Sequence, residues 1–285
     1  GTIGFMAEIL HGRYQLLRKL GSGGTGEVYK ALDLRLKRNV AIKRILPEKR
    51  GKKRVLARLQ KEAEYLAMVE HTNVVLVHDI VDSKDTFSII MELVNGVPFI
   101  RTFRKRPMPE RQYLGYFRQM LAALKAVHGV GLIHRDVNPR NVLVTREGVV
   151  KLTDFGLSGL AKDVDHRMGG TLAYMAPEAM RKNSRLGFGL DLYALGFMSY
   201  QATLSLQGFK KLYGAKRPRD WIRWVLSSEP FKTLKELRVP VSDGFSGLIS
   251  RMLEKDPKVR YQKVAQVQKD LDIHLEQIGY PTLGS

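Results

Sequence analysis

The chain contains no cysteine and only 2 tryptophans among its 285 residues. Without cysteine it can form neither a disulfide framework nor a metal site held by thiolates. It also lacks any run of about eighteen or more apolar residues, and no charged and then apolar signal peptide opens it. These absences predict a soluble, cytoplasmic domain, whose parent chain could still carry a membrane anchor.

Acidic residues are scarce: the chain has 28 Asp and Glu compared with 48 Lys and Arg, and its formal charge is +20. Such a charge attracts polyanions, which include nucleic acid, anionic lipid and acidic protein segments. No nucleic-acid-binding signature accompanies the charge, so we expect no specific binding to nucleic acid. A solvated basic surface is the simpler alternative.

The periodicity of apolar residues changes along the chain. From Tyr14 to Ile90, short alternating runs predict a twisted antiparallel sheet, which is interrupted by one helix from Lys52 to Val69. From Arg111 to Gly129, apolar residues recur at the spacing of a long helix. These residues are Leu114, Phe117, Leu121 and Leu124.

A short connection is expected between these two parts, because Asn95-Gly96 and Pro98 break both patterns. The sequence therefore predicts an α+β fold with two lobes, a small antiparallel β-sheet lobe with one helix and a larger, mainly α-helical lobe. The expected boundaries within a single domain of residues 1–285 are about 12–93 for the first lobe, 92–98 for the connection and 97–280 for the second lobe.

A glycine-rich loop lies between two strand-like runs and reads Gly21-Ser22-Gly23-Gly24-Thr25-Gly26. Glycines let a backbone approach phosphate groups closely and adopt positive φ. The same spacing also occurs in dinucleotide-binding folds, where a helix follows it. Here a strand follows, which favours a hairpin that covers phosphates.

Three further motifs supply charged and polar side chains in a set order. Val40-Ala41-Ile42-Lys43 is an apolar strand with a lysine, which should not point inward without an anionic partner. His134-Arg135-Asp136 precedes Asn141, and Asp154-Phe155-Gly156 follows. These residues offer a carboxylate to orient a hydroxyl group and two side chains to hold magnesium on ATP phosphates.

With these motifs in this order, the chain from about Tyr14 to about Gln277 resembles the eukaryotic-like serine/threonine protein kinases. The resemblance implies ATP and Mg²⁺ as cofactors and transfer of the γ-phosphoryl group to serine or threonine of a protein substrate. It assigns the role of catalytic base to Asp136 and that of metal ligands to Asn141 and Asp154.

The same resemblance assigns Lys43 to the nucleotide phosphates and to a glutamate on the helix of the first lobe. Glu62 and Glu64 are the candidates, and we choose Glu62 because it lies beside the apolar face of that helix. The glycine-rich loop, Gly21 to Gly26, would cover the phosphates. The predicted adenine contacts are Val28, Ala41, Met91, Glu92, Val94 and Leu143.

The segment Gly170 to Glu178 resembles the form found in serine/threonine kinases, in which the hydroxyl of Thr171 supports the catalytic aspartate. The resemblance also implies structural roles further along the chain. Glu178 and Arg260 would form a buried ion pair, and Asp191 would anchor the catalytic loop.

The chain departs from the family pattern at two positions. Pro98 occupies a position where an acidic group often contacts the ribose, and Asn138 replaces the usual lysine beside the transferred phosphoryl group. Asparagine can donate hydrogen bonds but brings no charge, so we expect a slower enzyme. The alternative is a pseudokinase that binds nucleotide or acts as an allosteric partner.

The segment before Thr171 suggests how the activity is regulated. After Ser158 no serine or threonine occurs before Thr171, and Asp163 and Asp165 could pair with Arg135 in place of a phosphate. We therefore hypothesise activity without activation-loop phosphorylation, with solvated loop charges as the alternative.

A basic stretch with neighbouring tryptophans runs from Gly208 to Arg223 in the second lobe. It comprises Lys210, Lys211, Lys216, Arg217, Arg219, Arg223, Trp221 and Trp224. It could bind an acidic substrate, an acidic regulator or an anionic membrane surface. An amphipathic helix with its tryptophans in the core is the alternative interpretation, and the oligomeric state stays open.

Overall fold

The computed structural model describes residues 8–22, 26–45, 53–83, 87–154, 172–181, 186–214 and 216–281. Within residues 53–67 the description covers the backbone, and the side chains of 53–56, 58, 59 and 62 lie outside it.

A six-stranded antiparallel sheet forms the first lobe. Its strands are β1 (Ile9–Leu10), β2 (Tyr14–Ser22), β3 (Gly26–Asp33), β4 (Arg38–Ile45), β5 (Val77–Asp82) and β6 (Phe87–Glu92), in the spatial order β1-β2-β3-β4-β6-β5. Helix α1 (Lys53–Ala67) connects β4 with β5. The predicted helix, Lys52 to Val69, is thus confirmed to within two residues at each end.

Strand β4 has apolar residues on both faces because both of its faces are covered. Val40 and Ile42 pack in a small cluster with residues of β1 to β3 and β6. Ala41 and Ile45 point the other way, into the main core. Since side chains alternate along a strand, Lys43 shares this second face, and it is buried there.

The second lobe is mainly helical among the described residues. Its helices are α2 (Glu110–Gly129), α3 (Gly189–Leu204), α4 (Leu206–Tyr213), α5 (Pro218–Leu226), α6 (Asp243–Met252) and α7 (Val264–Gln277). Helix α3 is buried over nearly its whole length and packs on α2 and α6. None of the described helices combines the length and the apolar character required to traverse a bilayer.

A small sheet joins the connection to the second lobe. It consists of β7 (Gly96–Pro98), β8 (Val142–Thr145) and β9 (Val150–Leu152), in that order. The segment before β5 also touches it, since Val75 N donates to Leu152 O at 2.9 Å and Leu152 N donates to Asn73 O at 2.8 Å. These main-chain bonds tie the first lobe to the second, and the sequence did not reveal them.

The predicted ion pair between Glu178 and Arg260 is present and buried. The Arg260 side chain is 0% exposed, donates a second hydrogen bond to Glu254 O at 3.1 Å, and lies over the ring of Tyr193. Burial lowers the pKa of Arg260, and the Glu178 carboxylate opposes that change. The pair connects the segment after residue 171 to the base of the second lobe.

Removing one partner of this pair should destabilise the fold. Arg260→Met is expected to lower the free energy of unfolding by about 3 kcal/mol, because Glu178 would keep a buried charge without its partner. Urea unfolding at pH 7 measures the change. Adding Glu178→Leu should restore part of it, and a loss no larger than that of Lys235→Met, which breaks an exposed ion pair, would contradict this account.

Candidate active site

The Asp136 carboxylate is held by two asparagine side chains. Asn138 Nδ2 donates to Oδ1 at 2.8 Å, and Asn141 Nδ2 donates to Oδ2 at 2.8 Å. Both asparagines follow Asp136 on the same tight loop, which is closed by the bond from Asn141 N to Asn138 O at 3.0 Å. One oxygen of the carboxylate is thereby assigned to each amide, which fixes the direction in which Asp136 points.

Asn138 is buried, and its side chain forms its hydrogen bonds within the loop. This residue replaces the lysine expected beside a transferred phosphoryl group; it is only 4% exposed, and its amide donates to Asp136. Its Oδ1 accepts from Arg140 N at 2.9 Å and from Asn141 N at 3.3 Å. Asn138 therefore supports the loop from below, and its hydrogen bonds are used within the loop.

The loop is anchored by Asp191 at the start of α3. The Asp191 carboxylate accepts from His134 N and from Arg135 N, each at 2.8 Å, and contacts His128 Nε2 at 2.8 Å. Arg135 has a φ of 66°, a left-handed conformation that a residue with a side chain rarely adopts. The anchoring role predicted for Asp191 agrees with these contacts.

His134 lies entirely inside the protein. Its Nε2 contacts Thr153 O at 3.0 Å, and its Nδ1 accepts from Asp136 N at 3.2 Å. Burial lowers the pKa of His134, so the ring is neutral near pH 7. It serves as a spacer between the loop and the strand that leads to Asp154.

Lys43 and Asp154 meet across the two lobes. Lys43 Nζ lies 2.9 Å from Asp154 Oδ1, and the lysine side chain is 8% exposed. Thr153 N donates to Asn141 O at 2.8 Å, so Asp154 follows directly on a residue bonded to the loop. The structure thus brings together Lys43, Asp136, Asn141 and Asp154.

Glu62 is the predicted glutamate partner of Lys43. Glu62 lies on α1, but its side chain lies outside the described residues, so its pairing stays a prediction. Glu64 on the same helix is exposed, in agreement with the choice against it. Among the described contacts, Asp154 is the carboxylate that meets Lys43.

The residues predicted to contact adenine are distributed over both sheets and the connection. Ala41 and Met91 are paired across β4 and β6, and Val28 is paired with Lys43 across β3 and β4. Leu143 lies in the second sheet opposite Pro98. Their joint contact with adenine stays a prediction.

The connection has its own internal contacts. The Glu92 carboxylate accepts from Leu76 N at 2.9 Å and from Lys151 Nζ at 2.7 Å, so this side chain holds the connection in place. Val94 follows and packs against the core. The contact of this segment's main chain with a bound base stays a prediction.

The glycine-rich loop is described at its two ends. Gly21 and Ser22 pair with Val28 and Glu27 on β3. At Gly26, a Cβ atom would lie 2.3 Å from Arg44 O, so the pairing of β3 with β4 itself requires glycine there. Gly23, Gly24 and Thr25, like Phe155 and Thr171, lie outside the described residues.

Burial raises the pKa of Asp136 to about 6, and the negative charge of Asp154 acts in the same direction. The hydrogen bonds from Asn141 and Asn138 oppose the shift. A carboxylate with a pKa near neutrality accepts a proton readily while still being mostly ionised at pH 7. The pKa of Asp136 in the folded protein exceeds its ordinary value of 3.8. The Asp136 carboxyl group therefore contributes to the stability of the fold at pH values below 3.8, and this contribution is lost as the pH rises through about 6.

The oxygen donors present suit a magnesium ion that is shared with a phosphate ligand. Asp154 and Asn141 provide a carboxylate and an amide oxygen, and Mg²⁺ in nucleotide sites takes one or two such groups together with phosphate oxygens. The described residues contain no cluster of three or more His, Cys, Asp or Glu side chains that could hold a metal ion by themselves. Lys43 adds the positive charge that phosphate groups require.

A family model for the protein kinase domain matches residues 14–271. The chain belongs to the protein kinase domain family. This kinase domain is 32% identical over 275 residues to a probable serine/threonine-protein kinase of Clostridium perfringens, a match that covers 94% of this chain and 39% of that protein. The predicted family and the predicted two-lobed fold are confirmed.

Two further relatives are also named protein kinases. The kinase domain is 36% identical over 213 residues to the serine/threonine-protein kinase PknA of Mycobacterium tuberculosis, which covers 70% of this chain and 48% of that protein. It is 33% identical over 261 residues to CBL-interacting protein kinase 16 of Oryza sativa, covering 89% and 55%. The chain thus spans about half or less of most of these relatives' length. Protein kinases in general use ATP with Mg²⁺ and act on proteins.

The basic stretch of the second lobe forms α4 and α5 of the kinase domain. Trp221 is buried and lies 5.6 Å from Phe197 between ring centroids. Trp224 is half-buried, and Lys255 Nζ lies 4.0 Å above its ring. The tryptophans therefore face the core, as the amphipathic-helix alternative predicts, and the basic side chains face outward.

The raised pKa of Asp136 can be measured without any enzymatic assay. In protein labelled with ¹³C at the aspartate carboxyl groups, the resonance lost in Asp136→Asn should titrate near pH 6 in wild type. Asn138→Ala removes a hydrogen bond that lowers this pKa, so the midpoint should rise, whereas Asn138→Lys adds a cation and should lower it. Titration near the ordinary value of 3.8 would contradict the account.

Proposed function

We propose that this chain is a serine/threonine protein kinase that transfers the γ-phosphoryl group of ATP to protein hydroxyl groups with Mg²⁺. The convergence of Lys43, Asp136, Asn141 and Asp154 from both lobes carries the proposal. The names of the relatives, which are serine/threonine-protein kinases, support the type of acceptor. We further propose that residues 1–285 contain one such domain, with the lobe boundaries given above.

Asp136 is the proposed catalytic base. Asn138 and Asn141 fix its carboxylate, and its pKa of about 6 allows it to accept the proton of a serine or threonine hydroxyl. As that proton leaves, the hydroxyl oxygen forms a bond to the γ-phosphorus, and the bond from phosphorus to the departing ADP oxygen breaks. The residue thus orients the acceptor and receives its proton.

The remaining site residues hold the nucleotide in this proposal. Lys43 contacts phosphate oxygens, and Glu62 orients Lys43 from α1. Asn141 and Asp154 bind Mg²⁺, which neutralises charge on the transferred group when it is bound. Gly21, Ser22, Gly23, Gly24, Thr25 and Gly26 cover the phosphates, and Val28, Ala41, Met91, Glu92, Val94 and Leu143 enclose the adenine.

We propose a cytoplasmic location because the reaction consumes ATP, and an acidic regulator as the partner of the basic surface on α4 and α5. A protein partner is favoured over a membrane because Trp221 and Trp224 pack inward and are not presented to lipid. No observation on the described residues favours the pseudokinase alternative.

The proposal predicts loss of phosphoryl transfer when the site is altered. Lys43→Met and Asp136→Ala should each lower transfer from labelled ATP to a generic protein acceptor by about a hundredfold or more. Lys269→Met and Glu147→Ala, which remove the same charges at exposed residues, serve as matched controls. Phosphoserine or phosphothreonine identified by mass spectrometry would establish the acceptor type.

Nucleotide binding without phosphoryl transfer is the outcome that would contradict the proposal. ATP binding measured by calorimetry without any transfer from wild type would refute the kinase proposal and support a nucleotide-binding scaffold. In that event, Asn138→Lys would be the first variant to examine for restored transfer.

Activity without activation-loop phosphorylation is a second proposal, which rests on the sequence because Asp163 and Asp165 lie outside the described residues. The double variant Asp163→Asn/Asp165→Asn should lower kcat about tenfold in protein shown by mass spectrometry to be unphosphorylated. Its unfolding midpoint should match that of wild type. An unchanged kcat would show that the two carboxylates have no such role.

A further inference from the structure

An exposed arginine lies within the catalytic loop itself. Arg140 directly precedes Asn141, and its side chain faces solvent. No carboxylate among the described residues pairs with its guanidinium. The described contacts show no structural role for a cation this close to the proposed base.

The position of Arg140 relative to Asp136 is set by one side chain. Asn138 donates from Nδ2 to Asp136 Oδ1 at 2.8 Å, and its Oδ1 accepts from Arg140 N at 2.9 Å. A single amide group therefore separates the backbone of Arg140 from the carboxylate that would receive the acceptor proton. A substrate hydroxyl at Asp136 would place its neighbouring residues next to Arg140.

Arg140 also acts electrostatically on the segment that begins at residue 172. Burial raises the pKa of Tyr174, and the positive charge of Arg140 acts in the opposite direction. Tyr174 belongs to the one-turn helix Leu172–Tyr174. The charge of Arg140 thus acts on this one-turn helix, which lies outside the catalytic loop.

A second group of cations continues from this point. Ile100 N donates to Pro139 O at 2.9 Å, which joins the one-turn helix Phe99–Arg101 to the catalytic loop. The end of this helix and the loop after it expose four basic side chains, and residues 93–109 contain no Asp or Glu. The four are Arg101, Arg104, Lys105 and Arg106.

The cationic strip, defined as Arg140 with Arg101, Arg104, Lys105 and Arg106, extends toward the basic helices. Leu206 N donates to Phe103 O at 3.1 Å, so the loop adjoins the start of α4. None of these five side chains has a carboxylate partner among the described residues. Neighbouring cations repel one another, and an acidic ligand along the strip would relieve that repulsion.

We propose that the cationic strip selects the substrate, so that this kinase prefers serine or threonine flanked by Asp or Glu, with Arg140 as the residue that determines specificity next to the acceptor. The inference rests on the proposed kinase function and specifies its substrate class. A single exposed ion pair contributes little, but several along one bound segment, together with the repulsion of basic segments, yield a clear preference.

Three acceptor peptides of equal length test the proposal, each with one serine flanked by Glu, Gln or Lys. For wild type, kcat/KM should decrease in that order, and rising salt concentration should reduce the difference. Arg140→Glu should lower the ratio of the Glu peptide to the Gln peptide about tenfold and raise the relative rate of the Lys peptide.

Arg146→Glu is the matched control. Arg146 is exposed in the turn between β8 and β9, at the opposite end of that hairpin from Asn141, so the same change of net charge occurs away from the strip. Its peptide ratios should equal those of wild type. Equal ratios for all three peptides in wild type, or an equal decrease in both variants, would overturn the inference.

Peptide binding separates this inference from the kinase proposal. Fluorescence anisotropy of the labelled Glu and Gln peptides, measured with a non-hydrolysable ATP analogue, needs no transfer. Preferential binding of the Glu peptide that is lost in Arg140→Glu would support the strip even if wild type transferred no phosphate. Equal binding of both peptides would overturn the inference even if transfer occurred.

Discussion

The buried carboxylate of Asp191 is the contact on which the geometry of the site depends. It accepts hydrogen bonds from two consecutive backbone amides, those of His134 and Arg135, and the second of these residues has a positive φ that costs roughly 1–3 kcal/mol. Charge-assisted hydrogen bonds to a buried acceptor offset such a cost. From this anchor, His134 extends to Thr153 and sets the distance between the loop and Asp154.

The site combines a desolvated carboxylate with cations that remain in water. Burial raises the pKa of Asp136 toward neutrality, while the two asparagine amides keep its direction constant. Arg140 is bonded through its backbone to the same asparagine but has its charge exposed. One loop therefore separates the proposed proton acceptor from the charge that would attract a substrate, because Asn138 is bonded to both residues.

Local patterns predicted much of the fold. The helix expected from Arg111 to Gly129 is observed as Glu110–Gly129, since the spacing of its apolar residues reflects one buried face. The alternation of apolar residues likewise predicted the sheet and the inward direction of Lys43. Strand β1 was missed because two residues are too few to show a period, and Gly26 was assigned to phosphate contact although the pairing of β3 with β4 also requires it.

The sequence by itself determined the family, the order of the motifs and the residue types available for chemistry, because each of these lies in a short continuous stretch. Only the tertiary structure decided which groups meet. Asp191 is separated from His134 by 57 positions and Lys43 from Asp154 by 111, and no local pattern encodes such a contact. It also decided that Asn138 faces Asp136 and that Arg140 lies beside basic residues of another segment, because burial and the path of the backbone set the direction of each side chain.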